Sequence, residues 1–268
     1  MSVVRPARWR NVALYVGGVL ALSTAGGVVI AGGEEAGGLL FILSPVLMAA
    51  ALRFFGGDGW GDAGLRWTGP ARWSVLAALA FPLIFAVTLG VGAAAGRVRF
   101  TDGFSAGLLL AIAAQLAPRF LFAIAEEFGW RGYLEPRLAA LGVAAARRHL
   151  AVAVVWGVWH LPYILATEGY TRLPLAVHLP LFMLAVMAMA FWYGTVQART
   201  GSVWPAVLAH GVANTVAFPL LDETLVVIDD PLWFAARPEA LVPLALLVTL
   251  GTVVWGLRGS AARRAAQV

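Results

Sequence analysis

The sequence predicts an all-α, polytopic membrane protein with about eight transmembrane helices. Of its 268 residues, 61% are hydrophobic and only 12% are charged, and that charged fraction is about half of what soluble domains carry. The hydrophobic residues also fall into blocks of about 20, which is the length that an α-helix needs to cross a bilayer. A soluble globular domain is therefore excluded.

Eight apolar blocks are predicted as spans, and together they form a single transmembrane domain over residues 1–268. The third block begins at Trp73 and the last ends near Trp255, as expected from the preference of tryptophan for the membrane interface. The first block is too long for the apolar part of a cleaved signal peptide, so it is expected to be a span. The predicted spans are about 12–31, 36–54, 73–95, 105–127, 149–166, 173–195, 203–220 and 239–257.

The basic residues predict the orientation of these spans. With the N-terminus inside, most arginines fall in cytoplasmic segments, as the positive-inside rule requires, with Arg97 and Arg99 as the exception. An even number of spans then places both termini in the cytoplasm, in an integral protein expected in a bacterial cytoplasmic membrane. The arginines assigned to the inside are Arg5, Arg8, Arg10, Arg53, Arg66, Arg72, Arg131, Arg137, Arg147, Arg148, Arg199, Arg258, Arg263 and Arg264.

The long connection 132–148 reads as an amphipathic helix on the inner surface, because Leu134, Leu138 and Leu141 recur at helical spacing among charged residues. The net charge of +5 does not indicate nucleic acid, since the arginines are scattered between apolar blocks. Membrane lipid is the partner that this distribution predicts. The chain has no cysteine, which excludes disulfides, thiolate metal ligands and a cysteine nucleophile.

Charge concentrates at the end of the fourth block, in the stretch Ala125–Arg131. Charged side chains inside a span are costly and by default mark a functional site. Glu127 and Arg131 are four residues apart, so on a helix they share a face and can pair, while Glu126 points about 100° away. The alternative is a carboxylate–arginine cluster that extends to the membrane interface.

Two later spans carry further polar pairs at the same spacing. Trp156 precedes His160 by four residues, and His210 precedes Asn214 by four. Counting about 1.5 Å per residue from the cytoplasmic ends, both histidines and Glu126 fall in the inner half of the membrane. A single intramembrane histidine is more often a hydrogen-bond donor between helices, but this set at compatible depth favours a catalytic site.

The residues present suit amide hydrolysis. A carboxylate beside an imidazole can hold and deprotonate a water molecule. A second histidine and an asparagine can donate hydrogen bonds to the oxyanion that develops on the carbonyl.

These residues resemble the three motifs of the CPBP family of intramembrane proteases, which includes the type II CAAX prenyl endopeptidase and the bacterial Abi and bacteriocin-processing proteins. The resemblance covers a catalytic core over about 105–220, with Trp156 where the family usually has Phe. It implies an endopeptidase acting on a membrane-associated and sometimes lipidated protein or peptide. It also implies that Glu126 activates water with His160 and that His210 and Asn214 support the oxyanion. Glu127, Arg131 and Trp156 are then supporting residues.

The sequence leaves open whether the site holds a metal ion. Glu126, His160 and His210 could ligate zinc as a two-histidine, one-carboxylate set. The chain has no His-Glu-x-x-His sequence, and we expect a metal-independent glutamate protease without a cofactor.

The competing function is a transporter or channel in which Arg119, Glu126, His160 and His210 line a proton or solute path. Transporters often contain inverted repeats, and this sequence shows none. Arg119 is expected either to balance the acidic pair or to contact a substrate carboxylate or carbonyl. His149 is expected to be solvated, and His178 to lie away from the site. The Gly59–Asp62 stretch matches the Gly-x-Gly-Asp of aspartyl proteases but is predicted to be a turn.

Overall fold

The helices of the chain coincide with the predicted apolar blocks. The computed structural model describes the backbone of residues 6–265 and the side chains of residues 6–256. Arg5 therefore lies outside the described residues, and the side chains of Arg258, Arg263 and Arg264 lie outside the described side chains. Within that range the long helices are α1 (Trp9–Ala31), α2 (Gly37–Phe54), α3 (Ala71–Ala94), α4 (Phe104–Gly129), α6 (Ala145–Ala166), α7 (Leu175–Thr200), α8 (Trp204–Leu220) and α10 (Leu241–Ala265).

Six of these helices, counted over the described residues, are long and apolar enough to cross a membrane, with the segment Phe104–Ala140 counted as one. The helix α8 has 17 residues, and the apolar part of α10, Leu241–Gly256, is also shorter than the others. The all-α polytopic fold is thus confirmed, and eight is an approximate number of spans.

Two short strands join the loops at one end of the bundle. β1 (Val98–Phe100) pairs antiparallel with β2 (Val226–Ile228), and the short helix α9 (Pro231–Phe234) follows. Next to the strands, Arg99 donates two hydrogen bonds to Asp229, at 2.6 and 3.1 Å. The Arg99 guanidinium holds the pKa of Asp229 below its usual range. One of the two exceptional arginines therefore has a carboxylate partner.

The segment after α4 is buried, so the prediction of an amphipathic surface helix there is wrong. The chain continues from α4 through a π-helix (Trp130–Leu134) into α5 (Glu135–Ala140). The apolar Leu134 and Leu138 are buried, but so are the charged Glu135 and Arg137 between them. Because these charged side chains have partners inside the protein, residues 130–138 pack into the bundle, whereas several residues from 139 to 147 are exposed.

Two groups of ion pairs hold this buried segment. Arg137 pairs with Asp62 and lies 3.6 Å from Asp58, both in the loop between α2 and α3. Glu135 pairs with Arg148 at 3.1 Å and with His149 at 3.0 Å. The expectation that His149 is solvated is wrong, because its side chain is fully buried against Glu135.

The loop between α2 and α3 is fixed by its aspartates. Tyr133 donates to Asp58 at 2.6 Å and Asn11 donates to the same carboxylate at 3.0 Å. Arg53 pairs with Asp62 at 3.0 Å and donates to the carbonyl of Gly132 in the π-helix. The Gly59–Asp62 stretch therefore lies in a loop whose Asp62 neutralises two buried arginines.

Two of the three motif-bearing helices, α4 and α8, pack directly against each other, and α7 connects the third, α6, to α8. Helix α4 packs against α8 and α2, and α6 packs against α1 and α7, which also contacts α8. Helices can approach this closely where small residues face a neighbour. At Gly211, a Cβ atom would lie 2.9 Å from the Phe120 ring, so glycine permits the contact between α8 and α4.

Candidate active site

The last turn of α4 is the centre of the site. Glu126 and Glu127 end this helix just before the π-helix that begins at Trp130. A π-helix has one more residue per hydrogen-bonded ring than an α-helix, and it frequently occurs at functional sites. Both glutamates are buried, with exposures of 4% and 0%. A buried carboxylate needs partners, and the neighbouring helices supply them.

Glu127 forms a buried ion pair with Arg131, as their spacing predicts. Both Glu127 oxygens accept from Nη1 of Arg131, at 3.1 and 3.0 Å, and neither side chain is exposed. Glu127 Oε1 also lies 2.9 Å from Nδ1 of His210 on α8. Since an ionised carboxylate only accepts hydrogen bonds, Nδ1 of His210 carries a proton. Glu127 therefore orients His210 so that its Nε2 points away from this pair.

Glu126 contacts two other helices. Its Oε2 accepts a hydrogen bond from the indole nitrogen of Trp156 on α6, at 2.8 Å. Its Oε1 lies 3.8 Å from Nε2 of His210. The two glutamates thus hold opposite nitrogens of the same imidazole, with a hydrogen bond on one side and a longer contact on the other.

His160 is linked to Glu126 through Trp156. Its Nδ1 lies 2.9 Å from the backbone carbonyl of Trp156, and a carbonyl can only accept, so Nδ1 is the protonated nitrogen of the neutral ring. Its Nε2 then has a free lone pair and can act as a base. The ring is half-buried and packs edge-on against Phe41, Trp159 and Phe182.

Aromatic side chains complete the cluster. Tyr193 on α7 stacks on His210 with ring centroids 5.9 Å apart. The guanidinium of Arg131 lies 4.7 Å from the ring centre of Trp156 and 5.0 Å from that of Tyr193. Sequence reasoning missed Tyr193, Phe41 and Phe182, because an aromatic residue in an apolar span carries no pattern that separates it from core.

The structure brings together six of the seven predicted site residues: Glu126, Glu127, Arg131, Trp156, His160 and His210. The seventh, Asn214, lies one turn along α8 from His210. It is half-buried, and it has no side-chain hydrogen bond to any described residue. Within residues 6–256, no group of three His, Asp or Glu side chains is arranged to hold a metal ion. The set Glu126, His160 and His210 does not form such a group.

The polar residues left outside the predicted site lie in two places. His178 is buried and lines a cavity of about 260 Å³ near the β-strands, together with Tyr170, Arg237 and Glu239. None of the predicted catalytic side chains lines this cavity. Arg119 lies in the middle of α4, where its Nε donates to Gln115 at 2.7 Å.

The segment that carries these residues is similar to a known protein family. Residues 108–216, less than half of the chain, match the family model described as Type II CAAX prenyl endopeptidase Rce1-like. The predicted CPBP family is confirmed over this segment. The Rce1-like segment contains all the predicted site residues, and together with the apolar helices it supports an integral membrane endopeptidase of the CAAX type. No curated protein matches the chain.

Proposed function

We propose that this chain is an intramembrane endopeptidase in which Glu126 is the base that activates water. The observation that supports it most is the placement of Glu126, a buried carboxylate fixed by Trp156 and flanked by an imidazole of α8. A carboxylate that is held in position and excluded from bulk water is suited to remove a proton from a single bound water molecule. The Rce1-like match supports the reaction class.

In the proposed reaction, Glu126 with His160 takes a proton from water while the water oxygen attacks the scissile carbonyl carbon. The carbonyl π bond breaks and its electrons move to the oxygen, giving a tetrahedral oxyanion. His210 and Asn214 support this oxyanion by donating hydrogen bonds, which are strong in a site that excludes water. The carbon–nitrogen bond then breaks, and the proton taken from water passes to the departing nitrogen.

The contacts of each histidine support these different roles. The Nδ1–H of His160 donates to the carbonyl of Trp156. Its Nε2 is therefore an acceptor that can assist Glu126. The Nδ1 of His210 is used by Glu127, and when the ring is protonated its Nε2–H is a donor. Asn214 follows one turn later on the same face of α8, where a bound peptide carbonyl could bridge the two side chains.

The proposed mechanism uses no metal or other cofactor. Zinc held by two histidines and a carboxylate would need Glu126, His160 and His210 to converge at about 2 Å from one point. These three side chains are not arranged in that way.

The test is cleavage of a quenched peptide library by purified protein in detergent. Wild type is compared with Glu126→Ala, His160→Ala and His210→Ala, and with wild type in the presence of a chelator. We expect activity to be lost in each variant and kept in the chelator. The matched control is Glu168→Ala, which removes an exposed glutamate outside the cluster and should cleave like wild type.

The outcomes separate the alternatives. Cleavage that survives Glu126→Ala would contradict the assignment of the base. Loss of activity in the chelator would replace the mechanism with a metal-dependent one. If no library member or farnesylated peptide is cleaved, while proteoliposomes take up protons or solutes in a Glu126-dependent way, the chain is a transporter.

A further inference from the structure

Arg119 is an intramembrane charge that the proposed mechanism does not use. It lies 15 residues after the start of α4 and ten before its end, hence about 22 and about 15 Å from the two ends. These distances place Arg119 well inside the helix and away from both of its ends. Across the described part of the chain, no carboxylate lies within ion-pair distance of its guanidinium, and its hydrogen bond goes to the neutral Gln115. The acidic pair is balanced by Arg131 instead.

The surroundings of Arg119 leave part of the guanidinium free. Its Nε is used by Gln115, and its central carbon lies 3.4 Å from the ring centre of Phe218 on α8. Phe122 supplies a second aromatic contact at 5.8 Å. A guanidinium stacked on a ring keeps its outer N–H groups directed sideways, in the fork that binds a carboxylate through two hydrogen bonds. The side chain is only half-buried.

Arg119 and its neighbour Phe218 lie on the same faces of α4 and α8 as the proposed catalytic residues. On α4 it precedes Glu126 by seven residues, which is close to two turns, so the two share a face. On α8, His210, Asn214 and its neighbour Phe218 recur every four residues and also share a face. The faces of α4 and α8 that carry Glu126 and His210 thus continue to Arg119 and its neighbour Phe218, and we call this shared stretch the α4–α8 face.

The separation of Glu126 and Arg119 along the α4–α8 face matches a short peptide. Seven residues of α-helix place Arg119 about 10 Å from Glu126 along the axis. Three residues of extended peptide span about 10 Å. A substrate whose scissile carbonyl lies at Glu126 would therefore have its chain end at Arg119 if three residues follow the cut. A substrate of the CAAX type ends the polypeptide, so that chain end is a free carboxylate.

We propose that Arg119 binds the C-terminal carboxylate of the substrate and thereby fixes the cleavage position three residues from the chain end. The inference rests on the proposed endopeptidase function. It makes Arg119 a specificity residue that touches the substrate but does not take part in the bond-breaking step. Loss of the guanidinium should then reduce discrimination between substrates without abolishing hydrolysis.

The first test compares two quenched peptides that end in S-farnesylcysteine followed by three residues, one with a free carboxylate and one with a C-terminal amide. Because Arg119 would form charge-assisted hydrogen bonds with the free carboxylate, we expect wild type to prefer the acid peptide over the amide peptide by about 10- to 100-fold in kcat/KM. In Arg119→Gln we expect the acid to fall to the rate of the amide, and the amide rate to be unchanged. In Arg119→Lys we expect an intermediate preference, because the charge stays and the fork is lost.

The matched control is Arg199→Gln. Arg199 is also a half-buried arginine over an aromatic ring, 5.0 Å from the centre of Trp73, but it lies on α7 and outside the α4–α8 face. This variant should keep the wild-type preference for the acid. If Arg119→Gln keeps that preference as well, the proposal is wrong.

A second measurement reads the cleavage position by mass spectrometry. With a non-farnesylated library peptide and the same peptide lengthened by one residue, wild type should move its cut by one residue so that three residues are still released. If wild type cleaves acid and amide equally, or does not move its cut, Arg119 does not bind the chain end. That result would leave the endopeptidase function in place. If wild type cleaves no peptide, the proposed function itself fails, and the role of Arg119 fails with it. The wild-type measurements decide the question even if the Arg119 variants do not fold.

Discussion

At the scale of single residues, the two adjacent glutamates have different surroundings and therefore different expected roles. Glu126 accepts one hydrogen bond from a neutral indole, whereas Glu127 pairs with a buried arginine and a histidine. Removing one partner of a buried ion pair leaves an uncompensated charge, which costs about 3 kcal/mol or more. Removing the charge of Glu126 does not have this cost, because the buried cation Arg131 keeps its partner Glu127.

We therefore predict that two isosteric substitutions differ in their effect on stability. Glu126→Gln should abolish cleavage and change the stability by less than about 1 kcal/mol, because the amide oxygen still accepts from Trp156. Glu127→Gln should lower the melting temperature in detergent markedly and reduce activity as a consequence. The measurement is thermal unfolding by tryptophan fluorescence together with peptide cleavage. Equal losses of stability in the two variants would show that the division of roles is wrong.

Much of this residue-level assignment was available from spacing alone. The pairs Glu127–Arg131 and Trp156–His160 are in contact because residues four apart on a helix share a face. The spacing of residues does not predict which helices pack against each other. The contact of Glu127 with His210 and the stacking of Tyr193 depend on packing between distant segments. Burial of His149 and Arg137 was missed for the same reason, since their partners are remote in sequence.

At the scale of elements, the position of the site depends on how closely α4 approaches α1 and α2. Gly129 ends α4 and faces both of these helices. A Cβ atom there would lie 2.4 Å from Cβ and 2.9 Å from the backbone carbon of Pro45, and 2.5 Å from the hydroxyl of Tyr15. Because one of these atoms is backbone, the contact cannot be relieved by a side-chain rotation. Glycine at this position lets the π-helix begin where it does.

Gly129→Ala should therefore destabilise the protein by about 1–3 kcal/mol, as expected when a well-packed contact is overfilled, and should lower cleavage by displacing Glu126 and Glu127. The matched control is Gly90→Ala in α3, where a Cβ would meet nothing within 4 Å. That change should be neutral or slightly stabilising, because alanine is the better helix former. Melting temperatures of the two variants in the same detergent check the prediction. If Gly129→Ala has the melting temperature of wild type, α4 can shift without a loss of stability and the prediction is wrong.

The elements themselves were predicted well because apolar block length nearly determines a transmembrane helix. The seventh block was expected over 203–220 and is helical over Trp204–Leu220. The sixth was expected to end near 195 and continues to Thr200. The π-helix and α5 were not predicted as an inward continuation of α4, since the buried Glu135 and Arg137 look like surface residues until Asp58, Asp62 and His149 are placed beside them.

At the scale of the whole molecule, the orientation in the membrane is a prediction that the arginine distribution makes and that labelling can test. The chain has no cysteine, so single introduced cysteines report without background. Glu34, Glu168, Arg66 and Arg147 are all exposed. The first three lie in different connections, and Arg147 lies in the first turn of α6. The first two are predicted to face outward and the last two the cytoplasm.

A membrane-impermeant maleimide applied to intact cells should label Glu34→Cys and Glu168→Cys, and should label Arg66→Cys and Arg147→Cys only after permeabilisation. The reason is that arginine-rich connections are retained on the cytoplasmic side during insertion. The same orientation places the end of α4, and with it Glu126, towards the cytoplasm, so that a substrate made there reaches the site without crossing the membrane. The reverse labelling pattern would invert the topology and require the substrate to come from the other side.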